Sequence, residues 1–310
     1  MHMSRQLAKE INETLWFGDD DPARSQAQAS ASLAAGVAKA VGLKPFPAVA
    51  QRVMQMAASA DCSVEELARL IRNDPAIAAR VMRLANSALF KVGEAVGSLD
   101  QALTRLGTNT LYQMVASIAV MGFFDTRDKA ARRLRDHAVG TAALAKALAH
   151  KRRLASANQL FLCGLLHDIG QLLLLQTQEI SYQAFTPEQL TFDQPPVRER
   201  ELLGYDHAVL GGHVVAVWNM PQLTAQAVAW HHQPARAKSA GGDIAQLVAF
   251  VRFADELDEL LADASQTPLA VRSHMATSTT TAELECPPEE LEQHWDFLIE
   301  SRKTALSTLC

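Results

Sequence analysis

Phe161-Leu162-Cys163-Gly164-Leu165-Leu166-His167-Asp168-Ile169-Gly170-Gln171 sets an imidazole and a carboxylate side by side in an otherwise apolar run. Burying such a pair is costly unless a partner group or an ion compensates the lost hydration. Two readings follow from the residues alone. Neutral imidazole with carboxylate is a common ligand set for Zn, Mn or Fe, which makes the pair a candidate metal site. A mutually hydrogen-bonded pair at a helix end is the alternative.

Outward from this run, nearly every segment carries apolar residues at helical spacing, and none alternates with period two long enough to predict a strand. The expected fold class is therefore all-α, a multi-helical bundle. Pro45 and Pro47 end an N-terminal helical region, and the next helix is expected to start near Ala48; Asp19-Asp20-Asp21-Pro22 is expected to be a loop. Ser63-Val64-Glu65-Glu66 has the form of a capping box for a helix ending near Arg72. Asp74-Pro75 opens another helix, with Ile77, Val81, Leu84 and Ala85 as its apolar stripe. A helix bearing Leu99, Leu103 and Leu106 is expected to stop near Gly107, and residues 111–124 are apolar all round, as in a central helix. Residues 125–135 are dense in charge, with Arg127, Lys129, Arg132, Arg133 and Arg135 read as a solvated helix start.

Further helices are expected over 137–148, 157–175, 198–203, 208–218, 224–232, 244–262 and 288–306. Residues 277–281, rich in Thr and Ser, are expected to be a mobile loop. The organisation expected is an N-terminal helical extension over 1–42, a domain over 43–262 with halves 43–125 and 126–262, and a C-terminal helical extension over 263–310.

Of 310 residues, 48% are hydrophobic and 20% charged, the balance of a chain that builds a sizeable core. A net charge of −5 argues against a nucleic-acid partner and for a protein or small-molecule one. The four cysteines, Cys62, Cys163, Cys286 and Cys310, show no paired spacing, so neither a disulfide framework nor a thiolate zinc site is expected. Met1 to Leu7 lack the apolar core of a signal peptide, and His167-Asp168 interrupts the longest apolar run. A cytoplasmic protein with no membrane partner is expected.

Seven of the ten histidines lie between His137 and His232. A metal site in a helical bundle draws inward-facing side chains from several helices, and the candidates are His137, His167 with Asp168, His207, His231 with His232, and Asp255. His213 falls on another helical face than His207; His150 is expected on the surface. Asp255 has Arg252 as an alternative partner.

The pattern His137, His167-Asp168, Asp255 resembles that of the HD phosphohydrolase superfamily. More narrowly, the chain resembles the HDOD family over about Leu43 to Asp255. The specific motifs are Leu43-Lys44-Pro45-Phe46-Pro47, Ile71-Arg72-Asn73-Asp74-Pro75, Val81-Met82-Arg83-Leu84-Ala85-Asn86-Ser87 and Ala102-Leu103-Thr104-Arg105-Leu106-Gly107. Glu201 to Gly211, Trp218-Asn219-Met220-Pro221 and Ala229-Trp230-His231-His232-Gln233-Pro234 add to it, and their spacing also resembles HD-GYP cyclic dinucleotide phosphodiesterases. The resemblance implies that His137, His167, Asp168, His207, His231, His232 and Asp255 are metal ligands, for Fe, Mn, Zn or Ni, with Asp168 the catalytic carboxylate if the site is active.

Three departures bear on activity. Gln171 stands where the enzymes carry a phosphate-holding lysine, Arg133 where some carry a glutamate ligand, and 234–242 replaces the Gly-Tyr-Pro loop. The resemblance thus implies a bacterial signal-transduction module that engages a signalling protein partner without phosphohydrolase turnover. The alternative is a metal-dependent phosphohydrolase acting on a cyclic dinucleotide or other nucleotide ligand.

Overall fold

The computed structural model describes residues 26–44, 46–57, 64–87, 89–91, 93–124, 128–154, 156–181 and 195–310. The expected capping box at Ser63, the break at Pro45 and the loop at Asp19 to Pro22 lie outside them. Among the described residues there is no strand, and the fold is all-α.

The first part of the chain supplies α1 (Gln26–Leu43), α2 (Ala48–Ala57), α3 (Val64–Arg72) and α4 (Pro75–Ala85). The Asp74 carboxylate accepts the amides of Ala76 and Ile77 at 3.1 and 3.0 Å, which starts α4 one residue ahead of Pro75. Helix α5 (Leu99–Met121) begins under a Ser98 cap and bends at Gly107, whose φ of 76° is outside helical space. The stop expected at Gly107 is thus a bend, after which Leu111 to Val120 are buried throughout. A 3₁₀ turn, Gly122–Phe124, follows.

Helix α6 (Lys129–Lys151) starts exposed and basic, then becomes a buried face rich in alanine from Ala138 to Ala149. Small side chains there let α7 (Ala157–Leu166) pack closely against it. The helix expected across 157–175 is broken: His167 and Asp168 form a turn, and the chain resumes as α8 (Ile169–Thr177). Asp168, at φ −100° and ψ 15°, leaves helical geometry there. Ala157–Thr177 has the length and mean hydropathy, 1.4, of a membrane-crossing helix, yet 83% of that window is buried inside the protein. Its apolar surface is spent on the core.

Beyond it run α9 (Pro195–Leu203), α10 (His207–Val217), α11 (Gln222–Trp230), α12 (Pro234–Ala240), α13 (Gly242–Ala262), α14 (Pro268–Met275), α15 (Thr279–Glu283) and α16 (Pro288–Leu309). Residues 234–240, between the helices expected over 224–232 and 244–262, are helical. Residues 277–281 are not the mobile loop expected. Thr280 and Thr281 are buried in α15, and the Ser278 and Thr280 hydroxyls donate to the Glu256 carboxylate. The low-complexity composition hid a set of hydroxyls that share one acceptor.

One hydrophobic core runs from Leu33 to Ala305. Phe46 and Phe123 flank Trp218 at centroid distances of 4.7 and 4.8 Å, joining segments from both sides of residue 125. Leu291, Trp295, Leu298 and Ala305 bury the inner face of α16, and Arg152, the C-terminal cap of α6, pairs with its Glu290 at 2.6 Å.

A close helix approach positions the histidines. A Cβ on Gly170 would lie 1.9 Å from the His207 carbonyl oxygen, so only glycine lets α8 reach the start of α10. Gly170→Ala is expected to lower stability by about 2–3 kcal/mol, since a backbone atom must move. Urea unfolding measures this; an unchanged midpoint would remove the close approach as the constraint.

Candidate metal centre

His137 comes from the middle of α6, His167 and Asp168 from the turn between α7 and α8, and His207 is the first residue of α10. His231 caps the C-terminus of α11, His232 follows it, and Asp255 sits in α13. The fold brings all seven to one place, in two sets. Ligand-type atoms of His137, His167 and Asp255 lie within 4.8 Å of one another, as do those of Asp168, His207, His231 and His232.

Asp168 joins the sets. Its Oδ1 is 3.1 Å from His207 Nε2 and 3.5 Å from His231 Nε2, whereas its Oδ2 is 3.5 Å from His167 Nε2 and 3.8 Å from His137 Nε2. Asp255 Oδ1 is 3.0 Å from His137 Nε2 and 3.6 Å from His167 Nε2. His232 Nε2 lies 3.2 Å from His207 Nε2.

The other ring nitrogen of four histidines is already engaged. Nδ1 of His167 donates to the Gly164 carbonyl at 2.7 Å, and that of His231 to Val228 at 2.7 Å. His207 Nδ1 donates to Glu199 at 2.7 Å and His137 Nδ1 to Asp258 at 2.9 Å. This pattern presents every Nε2 to the centre, the orientation that outer partners impose on metal-ligating imidazoles. Nε2 of His167 and of His231 are buried with no hydrogen-bond partner, because 3.5 Å and more to a carboxylate is too long for one. Two buried orphaned nitrogens facing a shared carboxylate fit a divalent cation, and the N and O donors suit Fe, Mn, Zn or Ni.

Without a cation the site is held by charge. Burial pushes the His137 and His207 imidazoles down, but Asp255 and Asp258 for the first, Glu199 and Asp168 for the second, raise both well above the usual range. Burial drives the Asp168 carboxyl up, and His167, His207 and His231 together hold it well below the usual carboxylate range. For His231 burial prevails and its basicity falls.

Several of these partners were not read from the sequence. Glu199 sits in a charged stretch eight residues before His207 and also accepts the His207 amide at 2.6 Å. Asp258 lies one turn beyond Asp255, an i, i+3 spacing that was the available signal. Glu259, half-buried, has its carboxyl pushed to about 7 by burial and by Asp255, with His137 and then Arg133 acting against that shift. Arg252, offered as a partner for Asp255, donates to the His231 carbonyl at 2.7 Å and to Glu283. His213 stays apart from the cluster, its Nδ1 donating to Val209. His150 is exposed, its ring 6.4 Å from that of Phe297.

A family model, HDOD domain, matches residues 43–234. An HDOD domain protein of Geobacter sulfurreducens is similar in structure, with TM-score 0.69 and 22% identity over 91% of this chain and 99% of that one. A provisionally named phosphohydrolase of Shewanella amazonensis SB2B gives TM-score 0.69 and 22% identity over 90% and 98%. A provisionally named signal transduction protein of Marinobacter aquaeolei VT8 gives 0.58 and 19% over 91% and 65%. At these identities the likeness is one of fold. The chain spans 45% of the length of a curated, uncharacterized relative in Treponema pallidum (strain Nichols), 24% identical over 233 residues.

Glu199→Ala strips the acceptor from two buried donors of His207, and a loss of about 3 kcal/mol is expected in urea unfolding of metal-free protein. Glu199→Gln, whose amide oxygen still accepts, should recover part of it; equal stability of Ala variant and parent would show the contact to be idle.

Proposed function

Because this chain belongs to the HDOD domain family, we propose that it is a signal-transduction module built around a buried divalent-metal centre, acting through protein–protein contact without phosphohydrolase turnover. The carrying observation is the convergence of five histidines and two aspartates, with Nδ1 of His137, His167, His207 and His231 engaged outside the cluster and their Nε2 atoms inward. His137, His167 and Asp255 would hold one cation, and His207, His231 and His232 a second, with Asp168 offering one oxygen to each.

Two features favour a signalling role over hydrolysis. The side chains of His167, His207 and His231 have no exposure, Asp168 and Asp255 have 9% and 8%, and His137 has 17%. Such closure suits an ion better than a phosphodiester, as structural metal sites are closed where catalytic ones keep a position open. Gln171, at the start of α8, brings no fixed charge to a phosphate. The partner is a signalling protein in the cytoplasm.

The second reading, hydrolysis of a nucleotide phosphodiester, draws on the bridging position of Asp168. A bound divalent cation polarises a phosphoryl oxygen and acidifies water. On this reading Asp168 would orient the attacking water, and half-buried Glu259 near Asp255 would exchange its proton.

Elemental analysis of protein purified without chelator is expected to find one to two Fe, Mn, Zn or Ni ions per chain. Adding metal at about 100 times its Kd should stabilise the fold by about 2.7 kcal/mol, with Asp168→Ala abolishing the effect. No metal and no stabilisation would dismiss the centre. Turnover of cyclic dinucleotides or other nucleotides, lost in Asp168→Ala, would replace the signalling reading with the hydrolytic one.

A further inference from the structure

Outside the seven side chains, the buried carboxylate of Asp258 is bound from two directions. It has no exposure, accepts from His137 Nδ1 through Oδ2 at 2.9 Å, and accepts from Arg302 Nε through Oδ1 at 2.6 Å. The first contact belongs to α6 and the second to α16. A slot in α6 receives this carboxylate: a Cβ on Gly140 would fall 1.7 Å from Asp258 Oδ1. Gly140 lies one turn beyond His137, so the same helix face supplies the histidine and the space for its acceptor.

We propose that Arg302 is a positioning residue for the metal centre, fixing the Asp258 carboxylate in the Gly140 slot so that it holds the His137 ring with Nε2 toward Asp168 and Asp255. This rests on the metal-centre reading above. The physical need is plain: with the His137 ring alone, one hydrogen bond would have to meet the whole desolvation of a buried carboxylate. The guanidinium supplies a charge-assisted bond that fixes its rotamer. Removing an outer partner of a metal-ligating histidine weakens metal binding. Arg302 thereby ties the seating of α16, which lies beyond the residues matched by the family model, to the geometry of one ligand.

α16 has another ion pair, between Glu290 and Arg152 at the C-terminal cap of α6, whose hydrogen bonds reach none of the seven clustered side chains. It separates positioning from simple docking of the helix.

The test uses the full chain labelled with ¹⁵N-histidine, metal-free, with the His137 Nδ1–H signal assigned through His137→Gln. Arg302→Met keeps an apolar stem and deletes the guanidinium. It is expected to shift the Nδ1–H signal or lose it to solvent exchange, and Arg302→Lys to restore it. Arg152→Ala is expected to leave the signal in place. In Co²⁺ titrations read by visible absorption, Arg302→Met should bind about tenfold more weakly than the parent, with Arg302→Lys intermediate. An unchanged signal in Arg302→Met, or an equal change in Arg152→Ala, overturns the role of Arg302. Absence of Co²⁺ binding by the parent overturns the metal centre instead, and the His137 signal still decides whether Arg302 orients the ring.

Discussion

Asp168 is a nearly buried carboxylate with an imidazole set on each side of it, and the arrangement around it follows from the cost of keeping a charge there. Removing the ion from water is compensated only by groups at short range with fixed orientation. The fold meets this by drawing donors from α6, the α7–α8 turn, α10 and the end of α11. Orientation comes from outside the cluster, where Gly164, Val228, Glu199 and Asp258 each accept an Nδ1–H. The site is thus organised in two layers, and the outer one decides which nitrogen faces in.

That organisation requires helices closer than ordinary side chains permit. Gly170 admits the His207 backbone, and Gly140 admits the Asp258 carboxylate. The alanine-rich face of α6 does the same for α7 over a longer contact. Close packing limits how far the ligands can drift, because interiors at crystal-like density leave no room for a ring to tip. C-terminal helix α16, which the sequence marks only as an extension, completes the outer layer through Arg302.

Much of the fold was legible because helical periodicity and caps are local signals. Asp74-Pro75 and the all-apolar stretch after Gly107 both appear where the residues point. The errors share one cause. The break at His167-Asp168 is invisible to an apolar count, since the flanking leucines stay in register with one helix. The Thr and Ser run at 277–281 reads as a loop until Glu256 is beside it, and the short helix at 234–240 goes unpredicted because Pro234 suits a turn as well as a first helical turn.

By itself the sequence determined that the chain is all-α and singled out the histidines and aspartates that the fold gathers, since residue type and spacing are properties of the chain alone. The tertiary structure decided that these residues form two sets sharing Asp168 and that Glu199, Asp258 and Arg302 stand behind them. A hydrogen bond between residues 121 or 44 positions apart depends on where helices lie in space, not on their order in the chain.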